Sequence, residues 1–213
     1  MFKNIKRVTV HPLFFACLAW IIFTDSSLYL LIITLTIFLH ECGHIFIYWR
    51  RHIIIEQVRL QPFGVSITPQ QPQRIPHRVQ LQCALAGPSV NMICAGLCYV
   101  ITLITDLPDW LTVFYAANLF LGLFNLLPII PLDGGRLLVI SLSRIWNEYI
   151  AQLIGAISSF LFGLGMLIWG GYVLMDSGMN VSLCFLSIYI LVCLAVKIYQ
   201  HKKKRTSNVK SRT

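Results

Sequence analysis

The chain has 213 residues, 57% of them hydrophobic and only 12% charged, with a formal net charge of +9, and its mean hydropathy is +0.73. That balance excludes an ordinary soluble domain and leaves room for one compact membrane domain. Seven cysteines, odd in number, without a CxxC pair and all in or beside apolar runs, argue against a disulfide framework or a thiolate zinc site and read as small buried hydrophobes.

Apolar runs at about 12–24, 28–49, 79–105, 110–130, 150–175 and 180–199 predict six transmembrane helices, since a bilayer core takes roughly 20 residues of helix. The expected fold class is an all-α polytopic membrane protein with a small re-entrant β-like segment near residues 57–68. A single domain is expected over residues 1–200, followed by a basic cytoplasmic tail over 201–213. The first run, "HPLFFACLAWIIF", is short enough for a signal-peptide core, but no small-residue cleavage site follows, so it counts as a span. All 17 Lys and Arg fall before the first run, between the second and third, between the fourth and fifth, or from Lys197 at the end of the sixth run onward. The opposite loops carry Asp25, Asp106, Asp109 and Asp176 and no base. Both termini are therefore expected in the cytoplasm. The basic excess reports topology rather than a nucleic-acid partner, and the tail "HKKKRTSNVKSRT" reads as a segment drawn to anionic lipid.

Inside the second run lies "LHECGHI". An ionisable group within a span is costly and marks a functional site by default. On a helix, His40 and His44 project from one face about a turn apart, which suits two nitrogen ligands on one zinc ion. Glu41, offset by one residue, is placed to take a proton from the attacking water without being a ligand. Gly43 is expected to clear room for a substrate backbone. A transporter-like bundle using these residues for interhelical hydrogen bonds is the bland alternative, and it predicts no third metal ligand.

Between the second and third runs, "QVRLQPFGVSIT" at 57–68 alternates weakly around Pro62 and Gly64. It reads either as an ordinary loop or as an edge segment at the cytoplasmic mouth, with Phe63 and Gly64 as candidate contacts for an extended substrate. "PQQPQRIPHR" reads as a flexible loop, and "AGPSVN", with Gly87, Pro88 and Asn91, as small residues that let helices approach. At the end of the fourth run, "LFNLLPIIPLDGGR" holds Asp133, the other acid expected at membrane depth and on the same side as the histidines. Two histidines and one carboxylate leave an open fourth position, the arrangement of catalytic zinc sites. Pro128 and Pro131 break the helix, and Gly134 and Gly135 are expected to form a tight turn that aims Asp133 at the metal. Asn125 and Pro131 on this element are candidate substrate-binding residues; for Asn125 an interhelical hydrogen bond fits equally well. The spaced glycines of "GLGMLIWGG" in the fifth run read as packing positions.

"LHECGH", "LQPFGVSI", "LAGPSVN" and "NLLPIIPLDGGR", in this order, resemble the site-2 protease family of intramembrane zinc metalloproteases, and with "VHP" at 10–12 the compact form is similar to its sporulation branch. The resemblance implies one zinc ion held by His40, His44 and Asp133, with Glu41 as general base. It also implies a membrane-associated substrate, a pro-sigma-factor precursor in the sporulation branch, with membrane-protein inhibitors as partners and the bacterial cell membrane, there the outer forespore membrane, as location. A transmembrane anti-sigma factor or a signal-peptide remnant is the alternative substrate. Relatives in that branch often carry a nucleotide-sensing CBS domain after the last span, where this sequence has the short basic tail. A six-span metal transporter would need ionisable residues along a path to the far side, whereas here they cluster at one depth.

Overall fold

A computed structural model describes residues 5–10, 27–61, 64–71, 74–106, 108–177, 185 and 187–196. The expected first span at 12–24, His11, Phe63 and the basic tail lie outside the described residues. Two compact units are distinguished, Met1–Asn125 and Leu126–Thr213.

The first unit contains strand β1 (Ile5–Val10), helix α1 (Ser27–Arg50), strands β2 (Ile55–Gln61) and β3 (Gly64–Pro69), and helices α2 (His77–Thr102) and α3 (Asp109–Asn125). Helix α1 packs on both α2 and α3, which also pack on each other. Residues 57–61 and 64–68 are indeed extended, but the sheet is larger than the sequence suggested. Three strands lie in the order β1-β2-β3, with β1 parallel to β2 and β2 antiparallel to β3. Strand β2 is thus central, and of the anticipated segment only β3 offers an edge for pairing.

The C-terminus of α1 joins the sheet through a left-handed residue. His52 has φ 53, its amide donates to the Trp49 carbonyl (3.1 Å), and the Ile53 amide donates to the Tyr48 carbonyl (2.9 Å). This is a Schellman cap, with the usual apolar contact between the residues flanking it. Tyr48 belongs to a buried cluster with Ile55, Val58 and Cys83, against which Ile47, Ile53, Ile67, Ile75 and Val79 pack. Burying each such side chain contributes about 1.5–3 kcal/mol. The cluster fixes the end of α1 against both the sheet and the start of α2.

The second unit contains helices α4 (Asp133–Leu142) and α5 (Glu148–Ser177), which pack together, and a short apolar helix α6 (Ser187–Val196). Gly163 of α5 packs against Leu191 of α6, where an added Cβ would stand 3.0 Å from Leu191 Cδ2. Gly165 and Gly171 face open space, so the packing reading of the "GLGMLIWGG" glycines does not extend to them.

Among the described residues three helices are long and apolar enough to cross a membrane: Leu28–Arg50, His77–Thr102 and Glu148–Met175. Large apolar side chains point outward along all three, including Leu31 and Phe38, Ile93 and Leu97, and Leu161 and Trp169. In water such a surface would aggregate; in a bilayer it is solvated. The protein is a membrane protein. Helix α3 has 17 residues rather than the anticipated 110–130 run, because Pro128 and Pro131 prevent its continuation.

Candidate metal centre

Helix α1 supplies the histidines. Its sequence from Ser27 to Arg50 is rich in Leu, Ile and Phe without proline, so nothing interrupts the ladder, and residues four apart stack one turn above another. Thr36, His40 and His44 form such a column, and all three are buried. In an apolar interior a polar side chain must find a partner. Thr36 Oγ1 donates to the Ile32 carbonyl (3.0 Å) and accepts from Asn118 Nδ2 of α3 (3.2 Å).

The two imidazoles are held from behind. His40 Nδ1 lies 3.1 Å from Asn91 Oδ1, and His44 Nδ1 lies 2.6 Å from the Cys83 carbonyl oxygen, both on α2. The Cys83 carbonyl can only accept, so His44 Nδ1 carries the proton; Asn91, with Oδ1 toward His40, sets the same tautomer there, and each Nε2 then presents a lone pair. The two Nε2 atoms are 3.2 Å apart. With both protons on Nδ1, a neutral pair facing in this way is repulsive. Two nitrogens on one tetrahedral zinc, each at about 2.0–2.1 Å, stand roughly 3.4 Å apart. The geometry of the pair therefore fits that metal.

Helix α2 comes close enough to support the rings because of Gly87. A Cβ there would lie 2.5 Å from His44 Nε2 and 2.6 Å from His40 Nε2. Its role is more specific than general close packing, since any side chain would occupy the space of the two Nε2 atoms. Gly43, expected to make room for substrate, instead faces α2: a Cβ there would meet the Ala86 carbonyl oxygen at 2.6 Å. Pro88, inside α2, has no amide to offer the Ala84 carbonyl, so the ladder is interrupted on the turn that carries Gly87. Glu41 is half-buried, about 100° around the helix from His40.

In the second unit Asp133 is the first residue of α4, after Leu132 in extended conformation. A carboxylate suits a helix N-terminus, where free amides and the macrodipole favour negative charge. Asp133 is 6% exposed, and Arg136 Nη1 lies 3.6 Å from its Oδ1. Gly134 and Gly135 do not form the anticipated tight turn; they lie in the first turn of α4. They are needed for close approach instead. A Cβ on Gly134 would collide with the backbone of Leu126 and Leu127, and one on Gly135 with that of Ile129.

The irregular stretch before Asp133 contains a cis Ile130–Pro131 bond and is anchored by two adjacent serines of α5. The Ile130 amide donates to Ser159 Oγ (2.7 Å), and Ser158 Oγ donates to the Pro128 carbonyl (2.7 Å). Without Ser159 the buried Ile130 amide would lose its acceptor. The sequence reading did not single out Ser158 and Ser159, although a serine pair in the apolar run "AISSFLF" was a visible signal. Nor did it single out Asn91 as the partner of a histidine.

Of the candidate substrate contacts, Asn125 Nδ2 donates to the Leu121 carbonyl of its own helix (3.0 Å), Pro131 is exposed, and Gly64 opens β3 opposite Gln61.

The family model for Peptidase family M50 matches residues 105–167. The chain is 28% identical over 208 residues to stage IV sporulation protein FB of Bacillus subtilis, covering 94% of this chain and 68% of that protein. It is 28% identical over 165 residues to a zinc metalloprotease of Methanocaldococcus jannaschii, covering 75% of this chain and 46% of that protein, less than half its length. Among solved structures it is similar to a site-2 protease from Methanocaldococcus jannaschii, with a TM-score of 0.68 and 26% identity over 92% of this chain and 91% of that one.

Proposed function

Because the chain belongs to peptidase family M50, the zinc metalloproteases of site-2 protease type, we propose that it hydrolyses a peptide bond of a membrane-associated protein near the cytoplasmic membrane boundary. The observation that carries this reading is the buried histidine pair, with both Nδ1 atoms bonded to acceptors and the Nε2 atoms 3.2 Å apart. In our reading His40, His44 and Asp133, each buried and each offering one donor atom, hold one zinc ion, and Glu41 is the general base.

When bound, zinc polarises the scissile carbonyl and lowers the pKa of water toward neutrality. Glu41 removes the proton of the attacking water and delivers it to the departing amine nitrogen. Asn91 and the Cys83 carbonyl keep the imidazoles oriented with their ligand nitrogens deprotonated. The helix-breaking stretch 126–132 places irregular backbone beside Asp133, which in a membrane is tolerated around a protein-lined or watery cavity and gives water a route inward. Asn125, on turning from the Leu121 carbonyl, is our candidate donor to the substrate carbonyl, and Pro131 a candidate contact. The β3 edge, with Gly64 and its neighbour Phe63, is our candidate platform for the substrate, because a scissile segment must be extended before it is cut.

We further propose six spans with both termini cytoplasmic. The exposure of Arg50 at the end of α1, Arg51, Arg59 and Arg74 in the connection and Arg78 at the start of α2 supports that side as cytoplasmic. His44 lies six residues before the end of α1, which at 1.5 Å per residue puts the metal about 10 Å below the cytoplasmic surface. The similarity to a sporulation protein supports a transcription-factor precursor of the pro-sigma type as substrate and a forespore membrane as location. Co-expression with membrane-tethered precursors tests the reading. Cleavage near the cytoplasmic boundary by the wild type, and none by Asp133→Ala, is expected; cleavage on the opposite side, or undiminished cleavage by the variant, would overturn it.

A further inference from the structure

His40 and His44 are supported differently, and the difference has a consequence for metal loading. The acceptor behind His44 is a backbone carbonyl, which can only accept. The acceptor behind His40 is the Asn91 amide, which presents an acceptor or a donor depending on which way it is turned. With Oδ1 inward, His40 carries its proton on Nδ1 and offers an Nε2 lone pair. With Nδ2 inward, Nδ1 must accept, the proton moves to Nε2, and the ring can no longer bind a metal beside His44.

Asn91 is fully buried, and its Nδ2 has no hydrogen-bond partner among the described residues. Leaving a buried donor unmatched costs about 1–3 kcal/mol. Turning the amide over would match Nδ2 and leave the carbonyl orphaned, which buried groups tolerate better. The amide alone thus gains from the orientation that disables His40. Helix α3 packs close to this residue: a Cβ at Gly122 would stand 3.2 Å from Asn91 Cβ.

We infer that Asn91 is a positioning residue whose carbonyl orientation selects the metal-binding tautomer of His40, so that the polarity of this one contact governs how tightly the centre holds zinc. The inference rests on the metal centre proposed above. Partners of this kind behind a ligating histidine are worth 10–100-fold in metal affinity.

The test measures zinc affinity of the purified full chain by competition with a chromophoric chelator, together with the visible spectrum of the cobalt-loaded protein. Asn91→Leu, which keeps the volume and removes the acceptor, is expected to weaken zinc binding by about 10–100-fold. Asn91→Asp, which cannot turn a donor toward His40, is expected to bind at least as tightly as the wild type and to keep the tetrahedral cobalt spectrum. Asn118→Leu removes another fully buried amide that bonds Thr36 rather than a histidine, and should leave the affinity unchanged. His40→Ala should abolish binding; zinc retained by that variant would sink the metal centre itself. With His40→Ala inactive in binding, equal affinity of Asn91→Leu and wild type, or equal weakening by Asn91→Leu and Asn91→Asp, would overturn the role of Asn91 alone. Asn91→Asp decides the matter even if Asn91→Leu does not fold, because weakened zinc binding by the carboxylate contradicts the inference.

Discussion

Replacing Gly87 by Ala adds one methyl group where the structure has least room for it. The new Cβ would lie 2.5 Å from His44 Nε2, 2.6 Å from His40 Nε2 and 2.7 Å from His40 Cε1, each about 1 Å short of an ordinary contact near 3.5 Å. Either α2 retreats or the rings do. A retreat of α2 overpacks the interface at a cost of typically 1–3 kcal/mol and draws Asn91 and the Cys83 carbonyl away from both Nδ1 atoms. A retreat of the rings moves the ligand nitrogens far outside the ~0.2 Å tolerance of a zinc site. We expect zinc affinity to fall by about 100-fold or more, equivalent to roughly 2.8 kcal/mol, and proteolysis to fall with it. The assay is bound zinc per chain at buffered free zinc, with unfolding of the metal-free protein measured in parallel. Gly165→Ala in α5 is the matched control: nothing lies within 4 Å of its Cβ position, and removing a helical glycine stabilises by up to about 1 kcal/mol. Wild-type zinc affinity in Gly87→Ala would refute the reasoning.

Three further outcomes are expected. Asp133→Ala should lower bound zinc in the purified protein because it removes a proposed ligand; unchanged zinc content would reassign this carboxylate to substrate binding. Ser159→Ala should destabilise the protein by about 1–3 kcal/mol in detergent-induced unfolding, since the Ile130 amide loses its acceptor in a fully buried place; a neutral result would mean that the amide finds another partner. His52→Gly should raise the unfolding midpoint, by an amount equivalent to about 1 kcal/mol, because the cap of α1 holds a non-glycine residue at φ 53; a lower midpoint would mean that the imidazole supports the cap.

What could be read from the sequence was whatever a membrane makes conspicuous. Glu41 and Asp133 stood out because acids are depleted inside spans, and the run lengths around α1, α2 and α5 set those helices within a few residues. Strand β1 was not legible: "IKRVTV" reads as a basic flank before an apolar run, and it is a strand through pairing with Ile55–Leu60 far along the chain. The glycines were legible as small residues but not in their purposes. Gly43 and Gly87 look alike in sequence, yet one clears a carbonyl of the neighbouring helix and the other clears the histidine nitrogens. Gly134 and Gly135 suggested a turn because glycine permits one, while their use is to let a helix start against the chain that precedes it. Asn91 drew only a packing reading because an amide in a span has many uses, and its contact with His40 exists only once α1 and α2 are side by side.

The central claim is that Glu41 works as a base beside a zinc ion held by this chain. The most direct measurement is cleavage of a membrane-tethered substrate by the purified protein in lipid vesicles, comparing wild type with Glu41→Gln at equal bound zinc, before and after chelation and zinc re-addition. The account predicts cleavage by the wild type that chelation abolishes and zinc restores, and a loss of several orders of magnitude in Glu41→Gln despite full zinc occupancy. Cleavage that survives chelation, or a Glu41→Gln variant that cuts at the wild-type rate, would contradict it.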